Sequence, residues 1–327
     1  MQTGCGQRFD ILNNMLTDPP ASASTRRVPL YKFLSPRYWP TWIFLGLLRL
    51  AVLLPFSWII KLGAGLGRIM YWVLRQKKAI ALTNLRLCFP NQSPTDRNTL
   101  VKKHFRSLGI GVFEMGLCWW ALDRHVLGRC RIEGLEHLTN LMAQNVPIIM
   151  LTAHFTTIEI AGSVVNRHLP IGAVFREQKN RLFSQMIVRG RERNTRVLIH
   201  RDNIREMLRA LKKRFAVWYA PDQHYAGKQF MFVPFFDIPA ATTTATARLV
   251  KLTGARIVPL FQVRRLDDQG YDIIVLPPME AFHSDDLLVS TTAISQQIEA
   301  MVRRAPDQYL WVHRRFKKQP DARSIYL

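Results

Sequence analysis

Acidic residues are scarce in this chain. Its 327 residues carry 23 Asp and Glu against 46 Lys and Arg, a formal charge of +23. A balance this basic calls for an acidic partner: nucleic acid, an anionic membrane, or an acidic protein or substrate. Cysteine is also sparse. Cys5, Cys88, Cys118 and Cys130 form no CxxC pair, which argues against a zinc ribbon or a dithiol redox site and for reduced thiols. The chain has no GxSxG elbow, no Walker loop and no HExxH helix. Serine hydrolases of the elbow type, P-loop nucleotide chemistry and zincin hydrolysis are thereby set aside. "GAGLGR" at 63–68 has the wrong glycine spacing for a dinucleotide loop and follows no strand. There is no internal repeat and no low-complexity tract.

What is present begins with apolar content. Hydrophobic residues make up 48% of the chain, enough for a large core. Residues 1–33 read as a disordered leader. Residues 34–75 contain "TWIFLGLLRLAVLLPFSWII" at 41–60, as long as a membrane span. Trp39, Trp42 and Trp58 lie near its ends, where amphipathic rings favour the headgroup region. The expectation is an uncleaved N-terminal membrane helix. A buried core helix, and a helix lodged partly in one leaflet with Arg49 reaching the surface, are the other readings of this segment. Positive charge on both flanks leaves its orientation unread.

Residues 76–327 form the expected catalytic domain. After a helical stretch to about residue 127, short apolar runs such as "VPIIML", "IGAVF" and "FAVWYA" alternate with helical patterns. That alternation predicts an α/β fold with a largely parallel sheet. The run Val146–Leu151 ends three residues before His154, and Glu159 follows five residues later. Groups just beyond the carboxyl ends of parallel strands are where such sheets place their chemistry. His154 is therefore a candidate general base, and Glu159 a candidate carboxylate to hold its tautomer.

The HxxxxE box resembles the HxxxxD/E signature of lysophospholipid-type acyltransferases. With "NLRLCFP" at 84–90, "AHFTTIEI" at 153–160, "VWYAPD" at 217–222, "VPFF" at 233–236 and "HRRFK" at 313–317, the chain resembles the late acyltransferases of lipid A biosynthesis from about Leu34 to its end. The resemblance implies a lysophospholipid-acyltransferase-like α/β fold, a mixed and largely parallel sheet flanked by helices. It implies transfer of a fatty acyl chain, lauroyl first, with palmitoleoyl or myristoyl transfer by a sibling enzyme as the alternative. The donor is an acyl carrier protein thioester and the acceptor a hydroxyacyl chain of Kdo2-lipid IV-A. No cofactor or metal is implied. His154 and Glu159 take the catalytic positions, and Arg176, Asp222 and Arg191 the substrate-binding ones. The implied location is the cytoplasmic face of a bacterial inner membrane, among its lipids. The pattern departs at Gln223 and His224 and in "REQKNR" after Phe175, both in loops near the expected site. A membrane-tethered nucleic-acid-binding protein has only the charge in its favour, since no binding motif is present.

Overall fold

The computed structural model describes residues 27–195, 197–225, 227, 229–280 and 286–326. Most of the expected leader lies outside them. Its last residues, 27–33, pack on the domain: Phe33 is buried, Arg27 pairs with Glu192, and the Val28 N–H donates to Gln185.

The expected membrane helix is replaced by two helices, α1 (Trp39–Ala51) and α2 (Phe56–Val73). Among the described residues no helix is long and apolar enough to cross a membrane. Pro55 is the reason. It cannot donate the hydrogen bond that would carry α1 onward, and it caps α2 with an extended backbone. The pair is core on one side only. Leu45, Leu48, Val52, Phe56 and Ile59 are buried, whereas Trp39, Ile43, Leu47, Leu50, Trp58 and Leu62 are exposed.

Two helices follow, α3 (Arg75–Cys88) and the 27-residue α4 (Pro94–Trp120). The latter starts at Ser93, whose hydroxyl accepts the Asp96 N–H, with Pro94 in the first turn. Gly63 and Gly67 let α2 lie directly on α4. A Cβ on Gly63 would stand 2.6 Å from Ile110 Cα, and one on Gly109 would stand 2.2 Å from Gly63 O. Gly63 and Gly67 of "GAGLGR" thus serve helix contact.

The sheet holds seven strands: β1 (Cys130–Glu133), β2 (Ile148–Leu151), β3 (Ile171–Phe175), β4 (Val197–His200), β5 (Ala216–Tyr219), β8 (Arg256–Arg264) and β9 (Tyr271–Val275), in the order β1-β9-β8-β2-β5-β3-β4. From β8 to β4 all neighbours are parallel; β9 turns back against β8, and β1 runs with β9. β6 (Phe230–Phe235) and β7 (Ile238–Thr243) form a separate hairpin. Its turn residues, Phe236 and Asp237, both have positive φ, as a tight two-residue turn requires.

The central strands read as unbroken apolar runs because both faces are covered. All four residues of β2 are buried. Ile149 and Leu151 face one core with α3, α8 (Ile204–Lys212), α9 (Ala245–Thr253) and α10 (Leu287–Arg304). Ile148 and Met150 face the other, with α1, α2, α4, α5 (Glu136–Ala143), α6 (Ile158–Val165) and α7 (Arg181–Glu192). This matches the expected mixed, largely parallel sheet flanked by helices.

Candidate active site

The site is built from a rung of the sheet. Leu151 on β2 lies opposite Tyr219 on β5, and the Thr152 N–H adds one further bond to Tyr219 O at 3.0 Å. Both chains then leave the sheet. Three residues beyond Leu151 is His154, and three residues beyond Tyr219 is Asp222. Equal run-outs from one rung bring them together.

The contact is two-pronged. Nδ1 of His154 lies 2.6 Å from Asp222 Oδ1, and its backbone N–H donates to Oδ2 at 3.0 Å. A carboxylate only accepts, so Nδ1 carries a proton, and in the neutral ring the free lone pair is on Nε2. Asp222 is 2% exposed, while the His154 side chain is 31% exposed. Burial alone pushes the Asp222 carboxyl up. The His154 imidazole and its two N–H groups, with Arg315 farther back, outweigh burial and hold Asp222 at about 2. It is therefore a permanent anion behind the ring.

The loop carrying His154 is held from below. Its carbonyl accepts the Leu310 N–H at 2.9 Å, Phe155 and Tyr309 form a β-bridge, and the Thr156 N–H donates to Gln308 O at 2.8 Å. Gln308 in turn clamps the end of β8, accepting the Arg264 N–H and donating to the Arg264 carbonyl. Arg264 makes a bidentate pair with Glu114 of α4, both bonds 2.7 Å and both residues buried. Arg315, also buried, donates to the Gln223 and Ala241 carbonyls and to Thr242 Oγ1. Its cation lies on the Asp222 side, where it offsets that buried charge. The departure at His224 finds a structural partner: its backbone N–H donates to His313 Nε2 at 3.0 Å, and burial pushes His313 down to about 4, which keeps that nitrogen an acceptor.

His154 opens into a cleft of about 650 Å³, within the ordinary range for ligand sites. Glu159, Arg176 and Arg191 line it too. Asp222 does not; it stands behind His154. The carboxylate on the imidazole is thus Asp222, where the spacing argument expected Glu159. His154 sits in the loop ahead of α6, pinned by the bridge to Tyr309, so the five-residue spacing does not put the two on one helix face. Glu159 occupies the first turn of α6 and pairs instead with Arg191 of α7, whose Nε lies 3.1 and 3.2 Å from its two oxygens. Burial works against the Arg191 cation, and Glu159 more than restores it.

Arg176 stands one residue past β3 at the cleft mouth, exposed. Among the described residues no ion pair holds its guanidinium. Tyr309, Arg315 and Gln308 were not singled out from the sequence, although "HRRFK" contains Arg315. Their roles depend on a C-terminal segment folding back under a loop some 150 residues earlier, which no local pattern announces. Among the described residues no group of three His, Cys, Asp or Glu could hold a metal ion.

Residues 30–318 match the family of bacterial lipid A biosynthesis acyltransferases. The chain is 37% identical over 289 residues to the lipid A biosynthesis lauroyltransferase of Escherichia coli K12, covering 88% of this chain and 94% of that one. It is 38% identical over 294 residues to the palmitoleoyltransferase of the same organism, covering 90% and 96%. Identity to the E. coli myristoyltransferase is 27% over 282 residues, covering 86% and 87%.

Proposed function

The chain belongs to the bacterial lipid A biosynthesis acyltransferases, and from that premise we propose that it moves a lauroyl chain from an acyl carrier protein thioester to a hydroxyacyl chain of Kdo2-lipid IV-A. The observation that carries the chemistry is the His154–Asp222 pair, with His154 lining a cleft and its Nδ1 held by a buried anion. Palmitoleoyl transfer is the second reading, supported by the 38% identical relative of that name.

In this reading Nε2 takes the proton of the acceptor hydroxyl as its oxygen attacks the thioester carbonyl. The carbonyl π pair moves onto its oxygen, giving a tetrahedral oxyanion. Collapse re-forms the carbonyl and breaks the carbon–sulfur bond. The thiolate leaves with that bond's electron pair and receives the proton from the imidazolium. The products are an ester and a free thiol, with no net change on the enzyme. Asp222 stabilises the transient imidazolium and fixes its tautomer. Arg176, in no ion pair among the described residues, is suited to an acceptor phosphate or to the oxyanion.

We also propose the cytoplasmic face of the inner membrane as its location, with α1 and α2 lying in the bilayer surface. Their exposed face carries Trp39, Ile43, Leu47, Trp58 and Leu62; Arg49, Lys61 and Arg68 are spread along the same helices, and Arg37 lies just ahead of α1. An apolar face with cations beside it suits an anionic leaflet. The purified enzyme given labelled donor thioester and tetra-acyl acceptor should yield a penta-acyl product by mass spectrometry. Absence of product with folded enzyme would sink the reading.

A further inference from the structure

The cleft continues below His154 as a groove against one face of the sheet. Its floor is Trp218, Ala173 and Ile171. Met150, Trp218 and Ala173 stand abreast on neighbouring strands, and Ile171 lies a level lower, beside Ala216. The walls are Ile187 of α7 and the outer face of α6. On α6, Ile160, Ala161, Val164 and Val165 are buried in the core, whereas Ile158, Glu159, Gly162 and the largely buried Ser163 line the groove. Gly162 is the gap in that face. A Cβ built on it meets nothing within 4 Å.

The groove has a measurable depth. From Phe175 at the mouth to Ile171 at the bottom is four strand steps, about 13 Å at ~3.3 Å each. An extended alkyl chain, with bonds of about 1.5 Å at about 111°, advances roughly 1.25 Å per carbon. The groove therefore takes a chain of about ten carbons below the reacting carbonyl. Gly162 lies four residues beyond Ile158, about 6 Å along α6 and so partway down. A side chain there would fill the path.

We propose that Gly162 sets how much of the donor's acyl chain the groove accepts, and so which chain lengths are transferred. The inference rests on the acyl-transfer reading. It makes Gly162 a specificity residue: by carrying no side chain, it leaves open the lower half of a groove whose floor is apolar. Gly162 is helical, and both Ala and Leu favour helix more than Gly does. Substitution at an open position should preserve the fold.

The test is a donor series, acyl carrier protein thioesters from four to sixteen carbons, with the full-length enzyme, Gly162→Ala and Gly162→Leu, and thermal unfolding alongside. The Leu variant should keep its activity on the four-carbon donor, whose chain ends above Gly162. Its kcat/KM for twelve carbons relative to four should fall by about 100-fold, as expected when a hydrophobic pocket rejects several methylenes. The Ala variant should fall between. The same chain-length ranking in Gly162→Leu as in the parent, or an equal loss across all donors, would overturn the inference. A changed dependence on the acceptor's chain with an unchanged donor profile would overturn it as well, assigning the groove to the acceptor. No transfer by the parent enzyme from any donor would instead overturn the acyl-transfer reading itself, and the inference with it.

Discussion

Asp222 takes both N–H groups of His154, the ring Nδ1–H at 2.6 Å and the backbone N–H at 3.0 Å. One carboxylate thereby fixes the tautomer of the ring and the path of the loop that carries it. Sixty-eight residues separate the two in sequence. Their meeting depends on the register of β2 against β5 and on nothing local.

Asp222→Asn should lower kcat by about 10³-fold, because an amide can present its N–H to Nδ1 and favour the wrong tautomer, and no longer stabilises the imidazolium. Acyl transfer with labelled donor measures it. Thermal unfolding separates this from misfolding, which is needed because Arg315 would lose the charge that offsets it. Activity near that of the parent would remove Asp222 from the mechanism.

Arg191→Ala and Glu159→Ala should each impair the enzyme and should not add. The two groups form one ion pair in the cleft wall. Removing either strands the other, so the double variant should be no worse than the worse single one, with a coupling of about 1 to 2 kcal/mol in urea unfolding. Additive effects would mean that Glu159 and Arg191 serve separate partners.

A buried and a half-buried histidine tie stability to pH. Burial lowers His104 to about 4, against the pull of its hydrogen bond to the Asp307 carbonyl, and lowers His313 to about 4. Both are neutral in the folded chain at pH values where the unfolded chain has taken up protons. Their contribution is complete above about pH 6.5 and is lost as pH falls toward 4. His104→Gln should flatten the curve of unfolding free energy near pH 5 by about 1.4 kcal/mol per pH unit. An unchanged slope would mean that His104 titrates normally.

The α2–α4 contact predicts opposite outcomes at two neighbouring glycines. Gly63→Ala pushes a methyl into the Ile110 backbone and should cost about 1 to 3 kcal/mol. Gly65→Ala meets nothing within 4 Å on the exposed side of the same helix and should gain up to about 1 kcal/mol. Thermal melts of the two variants decide it. Equal shifts would place the close approach elsewhere.

These residues also mark what the sequence made legible. The central strands could be read because burial on both faces makes them continuous apolar runs, and His154 could be placed because it follows one of them. Its carboxylate could not be read correctly from spacing. Glu159 was near in sequence, whereas Asp222 was near only through strand order. The segment at 41–60 misled for a related reason. Its length suggested a span, but the decisive features were Pro55 and a periodicity that buries Leu45, Leu48 and Val52 while leaving the other side bare. Gly162 was invisible altogether, since an empty space has no sequence signature.

Arg176 offers the sharpest division between binding and catalysis. It lies one residue beyond β3, at the same sheet end as His154, and no ion pair among the described residues engages it. A free guanidinium there can grip a phosphate through two parallel hydrogen bonds, which lysine's single point charge does not reproduce. Arg176→Lys should therefore recover little of what Arg176→Ala loses. If the phosphate is gripped equally in ground and transition states, KM for the acceptor rises with kcat unchanged; if the group serves the oxyanion, kcat falls. We expect the first, with KM rising about tenfold or more, because Arg176 stands at the exposed mouth while the carbonyl must lie close to His154 Nε2. An acceptor lacking one phosphate should then abolish the difference between the parent and Arg176→Ala. Unchanged kcat and KM in Arg176→Ala would leave this residue with no part in either step.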